Sequence, residues 1–117
     1  MKQNEEELTT LKEVFELYLT EKKLHKAAVI RDSNLDRNYA YQIFKGEGNT
    51  GRDKLLCLAF GMKLNVPETQ RLLKAGKTTP LYPRDRRDVF ILEALYQGKN
   101  LIECNEILEA HDLDILN

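Results

Sequence analysis

The chain has 117 residues, 42% apolar and 32% charged, which suits one globular domain with its own core and excludes a chain dominated by disorder. A formal net charge of −1 and a pI near 6.1 exclude a uniformly basic nucleic-acid binder, because phosphate neutralisation supplies most sequence-independent affinity. The longest apolar run, Leu55 to Met62 with Gly61 inside it, is too short for a bilayer, and the acidic MKQNEEEL start lacks the basic flank of a signal peptide, so a cytoplasmic protein without a membrane partner is expected.

Helical periodicity runs through the chain, and no strand pattern competes. A first helix is expected over residues 5–21, with Asn4 and Glu7 as a capping box and Leu8, Leu11, Val14, Phe15, Tyr18 and Leu19 at helical intervals. Two short helices follow, over 25–32 and 36–45, joined by a tight turn at Ser33, Asn34, Leu35 and Asp36. Asn tolerates the left-handed conformation that ends a helix, Asp accepts backbone N–H bonds that start the next, and Leu35 pins the corner. After the turn, Ala40, Ile43 and Phe44 share one stripe, while Arg37, Asn38, Tyr41, Gln42 and Lys45 project the other way. Those five are side-chain types that contact nucleic acid. Tyr39, Tyr41 and Phe44 also suit a core or a partner-facing surface, with Phe44 aligned to the buried stripe.

Four further helices are expected over 51–62, 66–75, 86–97 and 101–110. Residues 50–82 align without a gap to residues 85–117 at an offset of 35, an internal duplication of one helical hairpin. Identities include Arg52/Arg87, Asp53/Asp88, Asn65/Asn100, Glu68/Glu103 and Leu81/Leu116. Thr50 with Asp53, Asp85 with Asp88, Asn65 with Glu68 and Asn100 with Glu103 each have capping-box spacing or a close variant. The two copies are expected to stack, the second as an appendage, with Thr78 to Pro83 as an extended connector because Pro80 and Pro83 cannot continue a helix. The whole is one domain, residues 1–117, in which 5–76 form a first unit and 85–117 the repeated hairpin.

Charge is segregated. Residues 1–21 carry two basic and six acidic side chains, 22–54 eight and four, 55–97 seven and four, and 98–117 one and five. A basic middle between acidic ends fits either a DNA-facing patch or solvated helix faces of differing charge. Cys57 and Cys104 lie in helical patterns without metal-ligand spacing and are expected to be reduced packing residues. His25 precedes the second helix, suited to a phosphate or to solvent, and His111 sits at a helix C-terminus, where partial positive charge is favoured. No phosphate-binding glycine loop, metal triad or nucleophile motif is present, so neither an enzyme nor a cofactor is expected.

With these residues laid out, residues 8–76 resemble the XRE, or phage-repressor-like, helix-turn-helix family of bacterial and phage DNA-binding regulators. Val29 and Ile30 stand at the family's helix 2 pair, Asn34, Leu35 and Asp36 at its turn, and Tyr39, Ala40, Tyr41, Ile43, Phe44 and Gly46 along helix 3. Leu55, Leu56, Leu58 and Ala59 match its apolar fourth helix. Ile30 replaces a small residue, and Tyr41 and Phe44 replace a Ser and a Glu. The resemblance implies an all-α, five-helix domain, here extended by the C-terminal hairpin, and a transcriptional regulator that inserts helix 3 into the major groove of double-stranded DNA. Carried onto this chain, Arg37, Asn38, Tyr41 and Gln42 would read base edges, and Lys26, Arg31, Lys45, Arg52 and Lys54 would meet phosphate. It also implies paired half-sites and a homodimer, with an apolar face of the second hairpin as a candidate contact. The rival reading is a protein-interaction adaptor that keeps the fold without binding DNA and takes a protein partner on the C-terminal hairpin.

Overall fold

Seven helices and no strand occur among the residues that the structure, a computed structural model, describes, namely 10–47 and 50–117. In chain order they are α1 (Leu11–Glu21), α2 (Lys26–Ser33), α3 (Arg37–Phe44), α4 (Arg52–Gly61), α5 (Val66–Ala75), α6 (Arg86–Tyr96) and α7 (Leu101–Ala110). The all-α class follows directly, and none of these helices is long and apolar enough to cross a membrane.

Most helix starts follow from local chemistry. Asn65 with Glu68 and Asn100 with Glu103 form full capping boxes at α5 and α7. The first helix starts later than its periodicity suggests: Thr10 is extended, its hydroxyl accepts from the Glu13 N–H, and α1 begins at Leu11. The Asn4 and Glu7 pair lies outside the described residues. Thr50 and Asp53 do not cap α4. Gly51 is its N-cap, and the Asp53 carboxylate instead accepts from Arg87 Nη1 and Nη2 at 3.1 and 2.8 Å. At α6 the Asp85 carboxylate accepts from the Asp88 N–H, while the Asp88 carboxylate turns to Arg52. A guanidinium fork in a half-buried setting makes stronger, charge-assisted bonds than a helix-end N–H offers a carboxylate.

Helix α4 is the hub, buried at every position from Leu55 to Gly61. It is therefore apolar all round rather than amphipathic. Helix α2 lies along one side of it, and α1 packs on α3 and α5. On its other sides α4, α5, α6 and α7 form a ring in which each helix touches the next and α7 returns to α4.

The duplication governs this ring. Arg52 donates to the Thr79 and Pro80 carbonyls behind its own hairpin, and Arg87 donates to the equivalent Asp114 and Ile115 carbonyls. The Gln70 amide grips the backbone N–H and C=O of Leu81, and the equivalent Asn105 amide grips those of Leu116. The ion pairs then cross: Arg52 of the first copy meets Asp88 of the second at 2.6 Å, and Arg87 of the second meets Asp53 of the first at 2.8 Å. Such an exchange is reciprocal, as in an isologous contact, whereas stacked copies would make a one-way contact. The hairpins thus face each other across an approximate two-fold, and the second is a full half of the ring rather than an appendage. Thr78 to Pro83 is likewise more than a connector, since Leu81 within it is buried.

Cys57 and Cys104 are free thiols buried in the core. Burial raises their pKa to about 11 for Cys57, with Asp53 adding to it, and to about 12 for Cys104. Both stay protonated near neutrality. Alkylation by iodoacetamide at pH 8, followed by mass spectrometry, is expected to run at least about a hundredfold slower in the folded chain than in urea. Comparable rates in both states would refute this placement.

Candidate nucleic-acid interface

The corner between α2 and α3 is built from local bonds. Ser33, fully buried, donates its hydroxyl to the Val29 carbonyl at 2.6 Å, which ties off the last turn of α2. Asn34 then adopts the left-handed conformation, with φ 55° and ψ 39°, and Asp36 caps α3 by accepting the Tyr39 N–H at 3.0 Å. Leu35 is half-buried between them and packs on the core.

Helix α3 is fixed from its inner side. Ala40, Ile43 and Phe44 are buried, and the Phe44 ring meets Phe15 of α1 edge-on at 5.1 Å. On the outer side Arg37, Asn38, Gln42 and Lys45 are exposed. Tyr41 is half-buried at the boundary: its ring lies edge-on to Phe44 at 6.4 Å, and the Arg37 guanidinium sits over it at 5.8 Å. Tyr41 thereby joins core to surface, and a cation–π contact limits where Arg37 points.

The cations expected at phosphate divide into two groups. Lys26 and Lys45 are exposed, Lys26 lying 5.7 Å over the Phe44 ring, and Lys54 lies over Tyr39 at 5.7 Å, linking α4 to α3. Arg31 is exposed but its Nε donates to Asp32 at 3.2 Å, so its charge is partly neutralised. Arg52 does not join them. Its guanidinium is held inside the ring by Asp88, Thr79 and Pro80, and the reason is its place in the repeat, where one arginine per copy ties that copy's tail and crosses to the other copy.

Comparison with protein-family models, with curated proteins and with solved structures gives no match. The chemistry of this surface therefore rests on its own geometry.

One cation beside α3 was not legible in the sequence. Lys12 is exposed on α1 and lies against Gly46, where an added Cβ would sit 3.4 Å from the Lys12 Cβ. It belongs to the acidic first segment, so a count by segment hides it. The signal available was that Lys12 stands outside the set Val14, Phe15, Tyr18 and Leu19 that α1 buries, which leaves it in solvent. His25, the N-cap of α2, is exposed and makes no side-chain cap bond. His111 is engaged elsewhere, stacked on Phe90 at 4.2 Å with Nδ1 2.9 Å from the Ile107 carbonyl oxygen.

Proposed function

We propose that the chain is a sequence-specific DNA-binding regulator of the phage-repressor-like helix-turn-helix kind, with α3 entering the major groove. The observation that carries this reading is the exposed row Arg37, Asn38 and Gln42 on a helix whose opposite side is buried and whose first turn is capped by Asp36. A fixed helix with a free polar side loses little entropy on docking. Arg37 suits the paired acceptors of guanine, and Asn38 or Gln42 the donor and acceptor of adenine. Tyr41 is a base contact in this reading and also the support of Arg37. Lys26, Lys45 and Lys54 suit phosphate, Arg31 competes with Asp32 for that role, and Lys12 extends the row toward α1.

The test is retention of DNA from the chain's own genomic neighbourhood in a gel-shift series across salt. Affinity is expected to fall linearly in log–log form with salt, and Arg37→Ala and Gln42→Ala each to weaken specific binding by about tenfold. Affinity that ignores salt, or survives both substitutions together, would remove the proposal.

The adaptor reading retains one observation in its favour: Tyr96 and Ile102 of the second hairpin are 87% and 70% exposed. A pull-down from native cells with and without nuclease separates the two. A partner retained after nuclease, together with no gel shift, selects the adaptor.

A further inference from the structure

The helical ring has two unlike ends. Where α4 and α6 begin, Leu81 and Leu116 are buried, each hooked by a side-chain amide, and the crossed ion pairs close the space beside them. Where α4 and α6 end, nothing comparable among the described residues fills the gap, and a cavity of about 490 Å³ remains between the α4–α5 and α6–α7 turns. That volume is within the range of small-molecule sites, and the space between helices of a bundle is a usual place for one.

The lining is amphipathic. Phe60, Leu64 and Leu95 are buried core residues that also face the cavity, and Tyr96 stands at its edge with most of its ring in solvent. Lys63 and Lys99 supply positive charge from positions that are not equivalent in the repeat. Glu103 also lines the space, but its carboxylate accepts the Asn100 N–H at 2.9 Å. The Asn65 and Asn100 side-chain oxygens are similarly occupied, each capping its helix by accepting the Glu68 or Glu103 N–H. Lys63 is only loosely paired, 3.8 Å from Asp32, and Lys99 makes no ion pair among the described residues.

From this geometry we infer that the open end of the ring binds a small amphipathic anion, an aromatic body bearing one acidic group. The apolar floor and Tyr96 take the body, and Lys63 and Lys99 take the acid. Two lysines beside one carboxylate suit a single negative group better than a polyanion. The inference does not depend on DNA binding by α3.

The test uses the whole chain, labelled with nitrogen-15 and titrated with 1-naphthalenesulfonate, with neutral 1-naphthalenesulfonamide as the matched probe. Saturable amide shifts are expected at Leu64, Asn65, Gly98, Lys99 and Asn100. The Lys63→Gln, Lys99→Gln double variant is expected to weaken the sulfonate at least about fivefold while leaving the sulfonamide within about twofold. Tyr96→Ala, at a position exposed enough to leave the fold intact, is expected to weaken both. Shifts scattered away from the turns, equal affinity of the two probes for the parent chain, or no saturable binding of the sulfonate would overturn the inference.

Discussion

Asp88→Ala is expected to lower the unfolding free energy by about 3–5 kcal/mol, the cost of leaving a buried charge without its partner. Asp88 is 4% exposed and accepts Arg52 Nη1 at 3.0 Å, Arg52 Nη2 at 2.6 Å and the Tyr82 N–H at 2.9 Å. Truncation strands the Arg52 guanidinium, whose side chain is only 22% exposed, and frees the segment that carries Leu81. The repeat provides an internal control, because Asp53 makes the equivalent pair with Arg87 but its side chain is 36% exposed. The stranded arginine is equally buried in the two cases, Arg87 also being 22% exposed, but the Asp53 carboxylate is better screened and Asp88 additionally holds the Tyr82 N–H, so Asp53→Ala should cost less, about 1–3 kcal/mol. Replacing both members, Arg52→Met with Asp88→Leu, should restore much of the loss, since apolar residues of similar volume do not carry the desolvation cost. Urea unfolding of the four chains decides the matter. Equal losses for Asp88→Ala and Asp53→Ala would show that burial does not govern the two pairs.

Gly61→Ala is expected to remove about 2–3 kcal/mol and about 10 °C of melting temperature. A methyl group at this position would collide with the Ser33 side chain and lie 2.7 Å from the Val29 carbonyl oxygen. Ser33 has a flexible hydroxyl, but Val29 presents backbone, so relief requires α2 to lift away from α4. The consequence extends beyond stability, because α2 leads directly into the corner that holds α3. Under the proposed function, Gly61→Ala should weaken specific DNA binding even at temperatures where the chain stays folded, and hydrogen exchange should rise first in α2. An unchanged melting temperature would mean that the two helices do not approach this closely.

The same position shows what a duplicated sequence conceals. At an offset of 35, Gly61 becomes Tyr96, which is 87% exposed. Gly61 was legible in the sequence only as a glycine inside the apolar run of the helix expected over 51–62, and Tyr96 only as a position of the helix expected over 86–97. Their difference arises because α2 covers the first copy and, among the described residues, no helix covers the equivalent place in the second. The orientation of the copies was hidden for a similar reason. Arg52, Asp53, Arg87 and Asp88 are conspicuous as matched identities, but exchange between copies and bonds within one copy produce the same sequence pattern.

Left-handed helix ends mark another limit. Asn34, Gly46 and Gly98 carry the expected residue types, but Lys23, Lys63, Lys77 and Asp112 also have positive φ. Lysine gives no such signal; the chain accepts the strain where the following residue is needed in the core, as Leu64 is after Lys63.

By itself the sequence determined what depends on neighbours within about four residues: the helical periodicity, the caps at Asn65, Asn100 and Asp36, the corner at Asn34, and the outward set of Arg37, Asn38 and Gln42. Tertiary structure alone decided the rest. It drew Arg52 into a pair with Asp88, placed Lys12 beside Gly46 at the end of α3, turned two hairpins face to face, and left one end of their ring open. The physical reason is that capping and periodicity are satisfied inside one helix, whereas the use of a charged side chain, in water or in a buried pair, is set by residues 27 to 36 positions away that meet it only in the folded chain.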